Sequence, residues 1–442
     1  MTFSEATQYL FRLRRFGWRP GLHTIERLME VLGAPQTAFP TIHVAGTNGK
    51  GSTSAMIAAM LQAAGHRIGL YTSPHLQSFT ERIRIDGQPI SEEAVAALTA
   101  ELQAVCARHF DSAVDVPHPT FFELTTAMGF LYFQRQGVDA AVIEVGLGGR
   151  LDATNVLTPR VAAITNIAVE HEEYLGRTLP EIAREKAGIL KPGVPAVTGA
   201  EGEALAAIRE VAAERRAPLT ELRASYAWTV RESDIDGQRF DLQGPARRYE
   251  GLVLPLAGRH QVENGAIAIA AVELLEGRGL RADESAIRDG LRTTRWPGRL
   301  QMIRERPRIL LDGAHNPAGI QVVAEFLAER RDSLGRLTVV FGVLRDKNWP
   351  AMLGPLLPLA DEIILTRPPS DRAADPVAIA ASLGSRTVET APDVAEALRR
   401  ARSRGGVADT VLVTGSLYTV GAALQALEAA STPQRALPQL GD

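Results

Sequence analysis

The chain alternates short apolar runs with longer stretches of helical rhythm. Phe39–Ala45 (FPTIHVA), Arg67–Tyr71 (RIGLY), Ala140–Val145 (AAVIEV) and Val161–Thr165 (VAAIT) are continuous apolar runs, the pattern of strands buried on both faces of a parallel sheet. Between them, Lys50–Ala64, Ser91–His109 and Thr120–Gln136 are long and periodic enough to be helices. Such strand–helix alternation predicts a doubly wound α/β domain. From Ala217 to Gly258 the rhythm shortens to alternating runs (YAWTV, QRFDL, LVLPL) separated by Asp-Gly and Gly-Pro turns. That stretch predicts a small antiparallel annex to the same domain, followed by a helix from Gln261 to Leu275. Arg295-Trp296-Pro297-Gly298-Arg299 breaks the pattern, and a new α/β series begins beyond it. Its strands are Arg308–Leu311, Leu337–Val343, Glu362–Thr366 and Thr410–Thr414, with a helix over Pro317–Arg330. The pattern therefore divides the chain into a larger N-terminal domain, residues 1–296, and a smaller Rossmann-like α/β domain, residues 297–442. Ser431–Asp442 reads as a loose tail.

Composition narrows the function. Lys and Arg number 48 against 51 Asp and Glu, a formal charge of −3, without the basic excess of a nucleic-acid binder. The one cysteine, Cys106, excludes a disulfide scaffold and a thiolate-only zinc site. Apolar stretches such as Gly265–Val272 fall short of a membrane span. Phe3–Arg19 mixes apolar and basic residues with no apolar signal core. Composition thus points to a soluble, cytoplasmic, multi-domain protein with neither nucleic acid nor membrane among its partners; small-molecule substrates and a monomeric state are separate expectations.

The first apolar strand runs directly into Gly46-Thr47-Asn48-Gly49-Lys50-Gly51-Ser52-Thr53 and then an Ala/Met/Leu-rich helix. Glycines let successive backbone N–H groups face a phosphate, the helix N-terminus adds positive potential, and a lysine supplies a mobile charge. A hydroxyl on the first helical turn, that of Ser52, suits the magnesium accompanying a nucleotide. The spacing departs from the strict GxxxxGK[ST] pattern, since Gly51 separates Lys50 from Ser52. The strand before and the helix after still favour a P-loop-type phosphate site over a plain glycine turn.

Ligands of open parallel sheets bind beyond the carboxyl ends of the strands, and further polar clusters fall there. Thr72-Ser73-Pro74-His75 follows RIGLY, Glu144 ends AAVIEV before Gly146–Asn155 (GLGGRLDATN), and Thr165-Asn166 precedes Glu170-His171-Glu172. This mixed oxygen and nitrogen set suits magnesium or manganese. Taken singly, His171 reads as a turn or cap residue. Lys186, in the helical Pro180–Leu190, reads on its own as a snorkelling surface lysine, although at an apolar site desolvation would depress its proton affinity and permit carbamate formation. Gly146-Leu147-Gly148-Gly149 is not a dinucleotide fingerprint, because a polar loop rather than a helix follows. In the second series, Asp312 of Asp312-Gly313-Ala314-His315-Asn316-Pro317 is placed to accept from a ribose hydroxyl. Asn264 offers an amide suited to an adenine edge, and Arg299 lies just past the hinge.

Taken together these segments resemble the Mur-type ATP-dependent amide ligases, and most of all their folate branch. The resemblance rests on AGTNGKGS (Ala45–Ser52), YTSPHL (Tyr71–Leu76), EVGLGGRLDATN (Glu144–Asn155), EHEEYLG (Glu170–Gly176), EKAGI (Glu185–Ile189), HQVEN (His260–Asn264), PGR (Pro297–Arg299), DGAHNP (Asp312–Pro317) and TGSLYTVG (Thr414–Gly421). It implies that Thr47, Asn48, Gly49, Lys50, Gly51 and Ser52 hold the ATP phosphates. It further implies that Ser73, Glu144 and His171, with Ser52, ligate magnesium, as two ions, and that Lys186 is carbamylated and joins them. Lys50, Lys186, His171 and Glu144 then carry the catalysis, while Asn264, Arg299, Asp312 and His315 contact ATP. The pterin-bearing acid is expected near Thr120, Phe121, Phe122 and Glu123 and near Leu151, Asp152 and Ala153. Nothing is carried over onto Phe16–Leu22. The implied reaction joins L-glutamate to a folate or to dihydropteroate through an acyl phosphate, with closure about Arg295–Arg299 excluding water. Two alternatives remain: a ligase acting on a cell-wall nucleotide precursor, and a P-loop NTPase that hydrolyses ATP without ligation.

Overall fold

Val, Ile, Leu and Ala make up most of the four apolar runs, and in the computed structural model, which describes residues 1–17, 19–110, 116–384 and 388–431, all four lie in one sheet. Its strands are β1 (Thr41–Ala45), β2 (Ile68–Tyr71), β3 (Ile83–Ile85), β4 (Gln88–Pro89), β5 (Ala140–Glu144), β6 (Val161–Ile164), β7 (Ala196–Thr198) and β8 (Leu219–Glu221). They are ordered β4-β3-β2-β5-β1-β6-β7-β8. From β2 to β8 every pairing is parallel, whereas β3 and β4 form an antiparallel edge. Every residue of β1, β2, β5 and β6 is buried, which is why these strands read as unbroken apolar runs. The chain leaves β1 toward β2 and β5 on one side and β6 to β8 on the other. The carboxyl end of β1 is thus a topological switch point, where an open sheet leaves a crevice.

The annex is a three-stranded antiparallel sheet of β9 (Ala227–Ser233), β10 (Gln238–Gln243) and β11 (Arg248–Leu254). Leu219–Glu221, which the sequence pattern puts at the start of the annex, is instead the parallel edge strand of the large sheet. Three residues are too few for periodicity to separate the two assignments. Phe240, Leu242, Tyr249, Leu252 and Leu254 of the annex share a core with the helices Lys50–Ala63 and His260–Glu273. Lys50–Ala63 is buried on nearly every side. Gly290, on the helix Glu284–Thr293, approaches it so closely that a Cβ there would lie 2.3 Å from the Met60 Cα. The opposite face of the sheet is covered by Phe3–Arg12, Glu92–His109 and Phe121–Gln136 around a second apolar core.

The chain falls into two compact units, Met1–Trp296 and Pro297–Asp442. The second has six strands, β12 (Gln301–Ile303), β13 (Arg308–Leu311), β14 (Leu337–Phe341), β15 (Glu362–Thr366), β16 (Glu389–Ala391) and β17 (Thr410–Thr414), ordered β12-β13-β17-β14-β15-β16. All pair in parallel except β12. Among the described residues no helix is long and apolar enough to cross a membrane. Trp18 and, beyond Ser431, the expected loose tail lie outside the described residues.

Candidate active site

β1 ends at Ala45, and Gly46–Gly49 turn the chain into the helix Lys50–Ala63. Two of these glycines are required by space and by backbone. Gly46 has φ +144°, and a Cβ on it would overlap the Thr165 hydroxyl oxygen at 1.8 Å; Gly49 has φ +83° and would meet Asn264 Oδ1 at 2.3 Å. The end of β6 braces the loop. Thr47 N–H donates to the Asn166 carbonyl (2.8 Å), Asn48 N–H to Asn166 Oδ1 (2.9 Å), and the Thr165 hydroxyl to the Asn48 carbonyl (2.6 Å). Thr47 Oγ1 accepts from the Ala168 N–H at 3.0 Å. Asn264 stands against this loop, with its Nδ2 donating to Gln261 Oε1 at 3.0 Å.

Both lysines reach the same atom. Lys50 Nζ donates to the Gly46 and Thr47 carbonyls, each at 3.0 Å, and Lys186 Nζ donates to the Gly46 carbonyl at 2.9 Å. Lys186 is therefore not the surface residue that its helix alone suggested: it is 4% exposed. Burial pushes its amine down to about 7, and the charge of Lys50 adds to that fall, while Glu170 and Asp152 oppose it. A substantial neutral fraction near pH 7 follows.

Glu144 is buried and sits one strand from the loop, in register with Val44. Its Oε2 accepts from the Ser73 N–H at 3.0 Å, since β2 brings Ser73 to the end of β5. Ser73 lies on a loop tied down by Glu81, whose carboxylate accepts from the N–H groups of Leu76, Gln77 and Ser78. His171 has a left-handed backbone, φ +52°, and its Nε2 lies 3.4 Å from Glu170 Oε1. The charge of Glu170 in turn is felt at Lys186. Among the described residues no three His, Cys, Asp or Glu side chains converge on one point, so a divalent ion here must draw on other oxygens. Ser52 fits that need: it is 1% exposed, and its hydroxyl has no hydrogen-bond partner among the described residues. Buried hydroxyls are normally satisfied, and with the buried Glu144 carboxylate the set has the hard-oxygen character magnesium prefers.

The expected acid-binding residues form a neighbouring region. Thr120 and Glu123 engage each other in a capping box, with the Thr120 N–H and hydroxyl donating to Glu123 Oε2 at 2.7 and 2.8 Å. Their polar atoms therefore serve the helix start, and Phe121 and Phe122 provide the adjoining surfaces. The Phe122 ring lies on Gly146, where a Cβ would come within 2.3 Å of its Cζ. The Phe121 ring centroid is 5.7 Å from that of Phe11, with the Arg14 and Arg82 guanidinium carbons 5.0 and 5.3 Å away. Arg82 Nε–H donates to His75 Nδ1 at 2.8 Å. Asp152 is buried and accepts from the Leu147 N–H (2.8 Å), the Thr154 N–H (3.0 Å) and the Thr154 hydroxyl. Burial pushes its carboxyl up against those bonds. Leu151 and Ala153 flank it. Gly149 packs on the Glu185 and Lys186 carbonyls, so the glycines of GLGG serve close packing.

In the second unit, Arg299, Asp312 and His315 gather by themselves. Asp312 is buried; burial raises its carboxyl, and the Arg299 guanidinium opposes that rise. It accepts from the Leu300 N–H (2.9 Å) and the Ala314 N–H (2.8 Å), and His315 Nδ1 lies 2.9 Å from the Gly313 carbonyl. Asn316 caps the helix Pro317–Ala328 through the Gly319 N–H.

Several contacts of the site leave little trace in the sequence pattern. Trp296 was read only as part of the hinge, yet its indole nitrogen would lie 2.8 Å from a Cβ on Gly51. Phe11 and Arg14 were not anticipated beside Phe121. His43, fully buried in β1, bonds Thr154 (2.8 Å). Burial, aided by Lys191, pushes its imidazole down to about 3, so it is neutral. Only the histidine in an otherwise apolar run hinted at it.

Known proteins match this arrangement over both units. The Mur ligase middle domain matches residues 44–272, and the Mur ligase glutamate ligase domain matches residues 298–417. The dihydrofolate synthase/folylpolyglutamate synthase of Bacillus subtilis is 37% identical over 425 residues, covering 95% of this chain and 97% of its own. The probable bifunctional folylpolyglutamate synthase/dihydropteroate synthase of Haloferax volcanii is 38% identical over 441 residues, and the chain spans 50% of that protein's length. Among solved structures, Escherichia coli FolC in complex with DHPP and ADP superposes with a TM-score of 0.86 at 34% identity, covering 98% of this chain and 99% of that one. The switch-point loop, its two lysines and these matches lead to one conclusion: the chain belongs to the Mur ligase family, in its folylpolyglutamate synthase/dihydrofolate synthase branch.

Proposed function

We propose that this protein joins L-glutamate to the carboxylate of a folate, and of dihydropteroate, at the expense of ATP. The observation that carries the reading is the pair of lysine side chains, Lys50 and Lys186, whose Nζ atoms meet at the Gly46 carbonyl, with buried Glu144 on the neighbouring strand. A carboxylate is a poor acyl donor, because oxide is a poor leaving group. Transfer of the γ-phosphoryl of ATP to one carboxylate oxygen releases ADP and leaves an acyl phosphate. The glutamate amine then attacks the acyl carbon, inorganic phosphate departs, the amine loses its proton, and an amide remains. No protein nucleophile is needed, so orientation and electrostatics do the catalysis.

Thr47–Ser52 receive the phosphates, and Lys50 exchanges its two loop carbonyls for phosphoryl oxygens. Neutral Lys186 captures carbon dioxide as a carbamate, releasing one proton and turning an amine into an anionic oxygen donor. Ser52, Ser73, Glu144, His171 and the carbamate of Lys186 would hold magnesium, as two ions, whose charge stabilises the transferring phosphoryl group. Asn264, Arg299, Asp312 and His315 serve the nucleotide, while Thr120, Phe121, Phe122, Glu123, Leu151, Asp152 and Ala153 shape the surface for the pterin-bearing acid. The protein acts in the cytoplasm, a reading its scarce cysteine supports, and as a monomer. The test is ADP release measured with dihydropteroate and tetrahydrofolate side by side. Release should require both glutamate and one of these acids. ATP hydrolysis indifferent to both, or turnover only with a cell-wall nucleotide precursor, would overturn the reading.

A further inference from the structure

Among the buried titratable residues outside that chemistry, His43 stands in the central strand of the large sheet, β1, and is 0% exposed. Its Nε2 lies 2.8 Å from Thr154 Oγ1, and that hydroxyl donates to Asp152 Oδ1. The threonine proton is therefore committed, so Nε2 must carry the ring hydrogen and donate. Nδ1 is left as a buried lone pair with no partner among the described residues. An unsatisfied buried nitrogen burdens the fold, and a leucine in its place would spare that. The donor does something else. It ends a polarised chain, Nε2–H to Oγ1–H to carboxylate, whose terminal Asp152 also fixes the Leu147 and Thr154 N–H groups.

We propose that His43 is a positioning residue for the acid substrate: through Thr154 and Asp152 it sets where the Gly146–Asn155 loop stands above β1. This rests on the reading that Leu151–Ala153 face the pterin-bearing acid. The effect falls chiefly on the acid, because the phosphate loop is braced by a different set, Thr165, Asn166 and Ala168. Glutamine places an N–H close to where Nε2 stands, whereas asparagine mimics Nδ1 and falls short.

Full-length His43→Leu, His43→Asn and His43→Gln separate the possibilities. KM for the acid should rise ~10-fold in His43→Leu and His43→Asn, with KM for ATP within about twofold and kcat little changed. His43→Leu should melt no lower than the unsubstituted chain, and His43→Gln should restore the acid KM. A glutamine variant as impaired as the leucine one, an equal rise in the ATP KM, or a lowered melting temperature with all kinetic constants falling together would each overturn the proposal. An unsubstituted protein showing no acid-dependent ADP release overturns the ligase reading itself, and is seen before any variant is made.

Discussion

Two lysine amines on one carbonyl oxygen is an arrangement that an incoming anion makes reasonable, whereas burial disfavours a second positive charge there. Lys50 and Lys186 both donate to Gly46, and the cost falls on Lys186, whose amine is the more deeply buried. Lys50→Ala should lower kcat by ~10²–10³-fold, in line with removal of a preorganised charge at a transferring phosphoryl, and circular dichroism should show an intact fold. Lys186→Met should abolish turnover while leaving the melting temperature unchanged or higher, because a desolvated amine is replaced by an apolar chain of similar length. A clear drop in stability would instead mark Lys186 as a structural donor. The sequence revealed Lys50 through its glycines but not the burial of Lys186. The apolar neighbours of Lys186 were visible, whereas the loop that closes over it comes from residues far away in the chain.

At the scale of elements, the phosphate loop is a turn with no spare volume. A methyl group on Gly46 would collide with the Thr165 side chain in a backbone region that L-residues avoid. Gly46→Ala should therefore remove ATP-dependent turnover and raise the nucleotide Kd at least ~10-fold by calorimetry; Gly46→Ala with normal nucleotide affinity would show that the loop yields. The long buried strands β1, β2, β5 and β6 were legible because both faces are covered, so their apolar runs are uninterrupted. The short strands were not: β4 is two residues long, and β3, β7 and β8 three each. Such pieces are strands because a neighbour's edge is open, information that no local pattern holds. The capping box of Thr120 and Glu123 shows the converse, a helix start set by residues three apart in the chain.

Over the whole molecule, protonation couples these buried groups to stability. His43 and His75 are each lowered from 6.5 to about 3 by burial, with Lys191 adding to the first and Arg82 and Arg14 to the second. Folded chains then refuse protons that unfolded chains accept. The stability held in the neutral rings is fully present above about 6.5 and is lost as pH falls toward about 3. Asp152 and Asp312, raised by burial, act in the opposite sense by taking protons before the unfolded chain does. His43→Gln keeps the bond to Thr154 without the titration, so urea unfolding between pH 6.5 and 3 should show a shallower decline than in the unsubstituted chain. Identical slopes would mean that His43 is protonated without penalty.

The close seat of Gly290 on Met60 has a practical corollary for anyone wishing to retarget this catalyst. The rod that presents Lys50 is clamped backbone to backbone, so it cannot be tilted or lengthened to suit a new acceptor without unseating its neighbour. Diversification belongs on the other side of the sheet, where Phe121, Phe122 and the Gly146–Asn155 segment can be redrawn while the energy-delivering half stays untouched.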